Sequence, residues 1–271
     1  MSKPIVYIHP GLGKTATSAI QKIAINQLKG STLYFPFGLK GDVHNYLSDV
    51  HPIYNEEYFN DELAKLTQLK KDKNYLISSE FLCYSTKSHI QKLCKLITEA
   101  GFQIQVIFAV RDLLPLIQSS YLQSLKSMHG LVAGESMLEF YKRNKQQFNF
   151  KMLIEKWSIN DSVEVSIIEF DKYGKHFVKR FFEYLNTEVE GDQDITNSSI
   201  HIGFVELITT LDKSIDTFDT KDRQELIELL IKFSDKYRGS IEYKCSDVET
   251  IKNDLASLKE FEQLKKTYNN I

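Results

Sequence analysis

The sequence predicts an α/β fold: a three-layer arrangement in which a parallel sheet of about five strands is flanked by helices, with a helical C-terminal third. Three observations carry this. The chain opens with a continuous apolar run, Ile5-Val6-Tyr7-Ile8, that passes through His9-Pro10-Gly11-Leu12-Gly13 into Ala19, Ile20, Ile23 and Leu28 at near-helical spacing. A strand that is apolar at every position is covered on both faces, as strands of a parallel sheet are. The same alternation of short apolar run and helical pattern then recurs along the first 200 residues.

Tyr75 to Ser78 reads as the next strand and Ile90 to Ile97 as its helix; Ile104 to Val110 follows as a strand and Leu113 to Leu125 as a helix. Each crossover is expected to be right-handed. Val163-Glu164-Val165-Ser166-Ile167-Ile168 is a further β candidate, followed by a helix carrying Phe177, Phe181, Phe182 and Leu185, whose aromatics read as core and helix surface rather than a sugar platform. One more strand is needed and has no clear local signal. From Asn197 onward the pattern is helical, with Leu226, Leu229, Leu230, Phe233 and Tyr237, then Val248, Ile251, Leu255 and Leu258. No Pro/Gly/Ser-rich linker sets this part off, so residues 1–271 are expected to form one domain, with an α/β core over 1–200 and helices over 201–271.

The 271 residues are 42% hydrophobic and 26% charged with 12 Gly and 5 Pro, which excludes collagen-like and disordered chains. Lys and Arg total 34 against 36 Asp and Glu, a net charge of −2, so no global positive field draws the chain to nucleic acid. Any anion has to be held locally. Cys83, Cys94 and Cys245 are widely spaced and odd in number, which argues against a disulfide framework or a zinc cluster and for a reducing compartment. The expectation is a cytoplasmic protein with no membrane span.

The strongest local signal is the turn after the first strand, where Gly11, Gly13, Lys14, Thr15, Ala16, Thr17 and Ser18 join a strand end to a helix start. Glycines let backbone N–H groups approach an anion, the helix N-terminus adds a partial positive charge, and Lys14 adds a full one. Thr15, Thr17 and Ser18 offer further donors. Gly13-Lys14-Thr15 matches the end of a Walker A loop, but the first glycine of that motif would fall on Ile8. The second signal is Arg111, at the carboxyl end of the strand Ile104 to Val110, with Ser119 eight residues on. Open α/β sheets bind ligands at that edge, and guanidinium grips phosphate bidentately. The alternative for Arg111 is an ion pair, with Asp112 or Glu80 as partner.

Read together, these residues resemble the superfamily of sulfotransferases that use 3′-phosphoadenosine 5′-phosphosulfate (PAPS), in particular its bacterial-type members, over about residues 5 to 200. The family loop Pro-Lys-Ser/Thr-Gly-Thr-Thr, which holds the 5′-phosphosulfate, is here Gly13-Lys14-Thr15-Ala16-Thr17-Ser18; the arginine and serine that hold the 3′-phosphate look like Arg111 and Ser119. Ile8-His9, Gln21, Ser78-Ser79-Glu80, Trp157 and the run from Val163 through Leu185 add weaker likeness. Two departures stand out: Gly13 replaces a proline, and Ala16 replaces a glycine. Alanine is harmless at helical angles and strained at positive φ.

The resemblance implies a P-loop-like nucleotide-binding fold and transfer of a sulfuryl group from PAPS, as cosubstrate, to an acceptor hydroxyl, most plausibly of a glycan. Lys14 would face the bridging oxygen as charge builds there, and no metal is expected. The base that takes the acceptor proton is Glu80, His44 or His9, with Glu80 ranked first and His9 read as a structural hydrogen-bond partner. Neighbouring cations are expected to lower the pKa of Glu80, which would then need partial burial to stay basic. Asn197-Ser198-Ser199 reads as a loop and N-cap that could touch the nucleotide. Two other classes remain open on the residues alone: a P-loop small-molecule kinase and a noncatalytic nucleotide-binding module.

Overall fold

The computed structural model describes residues 3–36, 38, 43–127, 134–160, 162–190, 200–214, 220–236, 246–254 and 257–270. Its strands are β1 (Ile5–Pro10), β2 (Thr32–Tyr34), β3 (Asn74–Ser79), β4 (Gln103–Val110), β5 (Val163–Glu169) and the two-residue β6 (Asn269–Asn270). Its α-helices are α1 (Thr17–Gln27), α2 (Glu56–Ala64), α3 (Lys87–Glu99), α4 (Leu113–Ser127), α5 (Met137–Asn144), α6 (Phe150–Glu155), α7 (Phe170–Tyr173), α8 (Phe177–Tyr184), α9 (Val205–Ser214), α10 (Thr220–Lys236), α11 (Ser246–Asp254) and α12 (Ser257–Thr267).

The strands pair in the order β2-β3-β1-β4-β5-β6, all parallel. β1 is central, with Ile8 opposite Ile77 of β3 and Val106 of β4. Polar residues extend the apolar runs at their N-terminal ends: Asn74 begins β3, and its Oδ1 accepts the Ile5 N–H at 2.9 Å. β2 and β6 are the strands the sequence does not announce, because three and two residues are too few to show a period.

Alternate residues serve the two sheet faces. On one, Tyr7, Leu76, Ile107, Ala109 and Ile168 pack against Ile20, Ile23 and Ala24 of α1 and Phe177, Phe181 and Phe182 of α8. The aromatic run around Phe181 is therefore core. Right-handed crossovers in opposite directions send α3 to the other face. There its buried residues Ile90, Leu93, Cys94 and Ile97 supply the apolar stripe.

This topology fixes where a ligand can sit. The chain leaves β1 toward β2 on one side and leaves β4 toward β5 on the other, so the loops after β1 and β4 diverge and open a crevice at their carboxyl ends. Both expected anion-binding segments, the Gly11–Ser18 turn and Arg111, lie at that switch point.

Two compact units make up the chain. The sheet unit comprises residues 1–111, 149–195 and 260–271; the helical unit comprises 112–148 and 196–259. Helices α4 and α5 thus group with the C-terminal helices, and the last residues group with the sheet. Within the helical unit Arg223 is buried, pairs with Asp212 at 2.9 Å and donates to Leu125 O at 2.8 Å. A capping box of Ser136 and Glu139 starts α5, and the Leu138 N–H donates to Asp247 of α11 at 3.0 Å. No helix among the described residues is long and apolar enough to cross a membrane.

Candidate functional site

The turn from β1 into α1 is held from below and open above. Gly11 donates its N–H to Ser79 O at 2.8 Å, and a Cβ at Gly11 would stand 2.5 Å from Thr17 Oγ1, so only glycine fits there. Lys14 and Ala16 both take left-handed angles, φ 66° and φ 61°. Ala16 is the N-cap of α1 with no side-chain cap, its carbonyl accepting the N–H groups of Ala19 and Ile20 at 3.0 Å. The alanine departure thus falls on the strained alternative, at about 1–2 kcal/mol. Left-handed residues alternating with ordinary ones make a backbone concavity whose N–H groups converge. Those of Gly13, Thr15 and Ala16 donate to no protein acceptor among the described residues.

The hydroxyls divide differently from the expectation. Thr15 Oγ1 donates to Leu12 O at 2.5 Å and Thr17 Oγ1 to the same carbonyl at 3.4 Å, both buried. Their side chains brace the turn, so the donors it leaves unpaired are backbone N–H groups. Ser18 is exposed, and its hydroxyl is close enough to Glu80 to favour the charged carboxylate.

Glu80 directly follows β3 and is half-buried beside Lys14 and Ser18. Burial raises its pKa above the usual carboxylate range; the Lys14 ammonium and the Ser18 hydroxyl pull it back down only in part. This reverses the expected direction, because desolvation outweighs the neighbouring cation. Arg111 is not among the groups that perturb it.

Four side chains hold the end of β3 in place. His44 is fully buried; its Nδ1 accepts the Ser78 N–H at 3.1 Å and its Nε2 donates to Phe35 O at 2.8 Å. Gln21 donates to Ser78 O at 3.2 Å, and His9 Nδ1 meets Ser78 Oγ at 2.9 Å. Burial lowers the pKa of His9 to about 3, and lowers that of His44 to about 4 against the opposing effect of its backbone hydrogen bonds. Both rings are neutral at pH 7. Both nitrogens of His44 are thus bonded to backbone, whereas His9 is held through Nδ1 alone. Asn45 was not singled out by the sequence, yet its Oδ1 accepts from Ser79 Oγ at 2.9 Å and from the Glu80 N–H at 3.2 Å, fixing the backbone that carries the carboxylate.

Arg111 reaches the turn from β4. Its Nη1 donates to Lys14 O at 3.4 Å, its guanidinium lies 5.2 Å over the Phe170 ring, and its Nε is 3.4 Å from Asp171 Oδ1 without hydrogen-bond alignment. The ion-pair partner is thus Asp171, not Asp112 or Glu80. Nothing local in the sequence points to Asp171, which arrives through the β4–β5 pairing. Ser119 is the seventh residue of α4, in the helical unit. Asn197-Ser198-Ser199 lies outside the described residues, as does Cys245. Among the described residues no three His, Cys, Asp or Glu side chains gather as a metal cluster.

No protein-family model and no curated protein matches the chain. Solved structures similar to it include a sulfotransferase from Alicyclobacillus acidocaldarius, 14% identical with a TM-score of 0.45, covering 92% of this chain and all of that one. The sulfotransferase domain from the curacin biosynthetic pathway is 12% identical with a TM-score of 0.39, over 94% and 98% of the two chains. The Deinococcus radiodurans tunicamycin resistance protein is 9% identical with a TM-score of 0.43, over 70% and 99%. The function has to be argued from the site.

Two outcomes follow from this geometry. Ala16→Gly relieves the left-handed strain while adding about 0.5–1 kcal/mol of backbone entropy cost, so a net stabilisation of up to about 1 kcal/mol is expected in urea unfolding; a destabilised variant contradicts the positive φ. The folded pKa of His44, about 4, lies below its ordinary value of 6.5, so the folded chain binds fewer protons between those values. Its stabilising effect is complete above pH 6.5 and is lost as pH falls toward 4. The deficit of His44→Asn relative to the parent should therefore shrink by about 2 kcal/mol from pH 7.5 to pH 4.5. A constant deficit would mean that the ring stays accessible to protons in the fold.

Proposed function

We propose that the protein is a sulfotransferase that moves a sulfuryl group from PAPS to an acceptor hydroxyl, with a glycan as the acceptor class. One observation carries the reading: at the switch point of a parallel sheet, a turn with unpartnered N–H groups at Gly13, Thr15 and Ala16 sets the Lys14 ammonium beside a partly desolvated carboxylate, Glu80, and Arg111 reaches the same turn at the Lys14 carbonyl. The cationic and N–H donor set suits an anionic nucleotide. Such a nucleotide, when bound, supplies an activated sulfuryl group and a stable leaving anion.

The chain's own residues then divide the work. The N–H groups of Gly13, Thr15 and Ala16, with Lys14, hold the end of the nucleotide at which negative charge develops. Arg111 is assigned to the 3′-phosphate; Ser119 joins it on the resemblance and the eight-residue spacing alone. Glu80 takes the proton from the acceptor oxygen as that oxygen bonds to sulfur and the bond from sulfur to the bridging oxygen breaks. A carboxylate made more basic by burial is better matched to this step than an exposed one. Asn45 and Ser18 orient it. His44, engaged on both nitrogens, is left out of the proton transfer.

Adenosine 3′,5′-bisphosphate should raise the melting temperature more than ADP does, because only the former offers a 3′-phosphate to Arg111, and Arg111→Ala should erase the difference. Equal shifts in the parent would favour the kinase reading. Glu80→Gln should bind the bisphosphate normally yet lose at least about a hundredfold in kcat with PAPS and a hydroxyl acceptor; turnover within a few fold of the parent would remove Glu80 from the mechanism.

A further inference from the structure

The sheet unit holds a second concentration of positive charge that the nucleotide does not account for. A cavity of about 400 Å³ is lined by Lys87, Asn149, Lys151, Met152, Glu155 and Lys156. Three lysines and one glutamate therefore line it, in a chain whose net charge is −2. Some lysines elsewhere pair with carboxylates, as Lys92 does with Glu56 and Lys265 with Glu169. Among the described residues Lys87, Lys151 and Lys156 have no such ion pair. Lys156 is half-buried, and its Nζ donates to Ser85 O at 2.9 Å, one bond for three N–H donors. Asp49, the carboxylate whose charge it feels, already accepts the N–H and hydroxyl of Thr86. Like charges around one concavity repel, and an anion placed among them removes that penalty.

The position of the cavity ties it to the proposed acceptor. Lys156 grips the carbonyl of Ser85, five residues beyond Glu80. The intervening Leu82–Tyr84 segment is a 3₁₀ turn, which keeps the span below the roughly 17 Å of an extended five-residue chain. Cys83 lies between them, its Sγ donating to Glu80 O at 3.1 Å while its thiol feels the charges of both Glu80 and Lys156.

Resting on the reading above, we infer that this cavity is an acceptor subsite for an anionic substituent, a sulfate or carboxylate, on a saccharide whose reacting hydroxyl faces Glu80. The acceptor is then an acidic glycan a few rings long. Lys87 and Lys151 are exposed and supply attraction and selection; Lys156 is the fixed cation that sets the distance to Glu80.

The test is equilibrium binding to the full chain saturated with adenosine 3′,5′-bisphosphate, using a fully sulfated tetrasaccharide, its desulfated counterpart and inorganic sulfate. The sulfated sugar should bind at least tenfold more tightly than the desulfated one, and Lys87→Glu with Lys151→Glu, both at exposed positions, should abolish that preference while leaving bisphosphate affinity unchanged. Equal binding of the two sugars overturns the inference, as does a preference that survives the double variant. Inorganic sulfate that competes as strongly as the sugar also overturns it, since the cavity would then be a free-anion site. Failure of the bisphosphate to bind the parent counts against sulfuryl transfer, while the sugar preference and its loss in the double variant, measured without nucleotide, still decide for or against the cavity.

Discussion

The peptide group and hydroxyl of Ser78, at the end of β3, are gripped from three directions: His44 holds the N–H, Gln21 the carbonyl and His9 the hydroxyl. These contacts join the strand to α1, to β1 and to the segment after β2, all at the carboxyl edge of the sheet. Two residues later comes Glu80. Its carboxylate can be half-buried beside an ammonium only because the backbone that carries it cannot withdraw, and the buried neutral rings supply that stiffness without adding charge. The two histidines are therefore matched to their places: a cation there would compete with Lys14 for Glu80 and would require desolvating an imidazolium.

The turn after β1 shows the complementary strategy, in which side chains are used up so that backbone is left free. Thr15 and Thr17 fold inward onto Leu12 O, and Gly11 leaves room for Thr17 to do so. What remains facing outward is a row of N–H groups in a contour set by two left-handed residues. Strain at Lys14 and Ala16 is the local expense of that contour, and the buried sheet beneath over-determines it.

Much of this was legible in the chain itself. Continuous apolar strands and helical spacing revealed four of the strands, and the turn, Lys14, Glu80 and Arg111 were visible because a parallel sheet brings the residue after each strand to one edge. The rest depended on long-range pairing. β2 is too short to carry a period, and Asp171 meets Arg111 only because β4 and β5 are adjacent. The direction of the Glu80 shift required a burial that charge counting cannot supply. For Ala16 the sequence could pose the question of its backbone angle but not answer it. His44 looked like a candidate base because its type is reactive; both its ring nitrogens are claimed by backbone groups that lie far from it in sequence or outside its own turn.

The division into two units also constrains how the chain can be made. The sheet unit is assembled from three stretches, the last of them residues 260–271, and the helical unit from the two stretches between them. A growing polypeptide emerging from N- to C-terminus therefore presents β1, β3 and β4 well before the segments that complete their layer, and the whole helical unit is synthesised before the sheet unit receives its final piece. No contiguous stretch shorter than the whole chain contains the complete sheet unit, and the stretch 112–259 that contains the helical unit carries residues 149–195 of the sheet unit inside it. During synthesis the partly formed sheet must keep its apolar faces from intermolecular pairing while it waits, which makes this a chain whose yield depends on the interval between translation of residue 111 and residue 260.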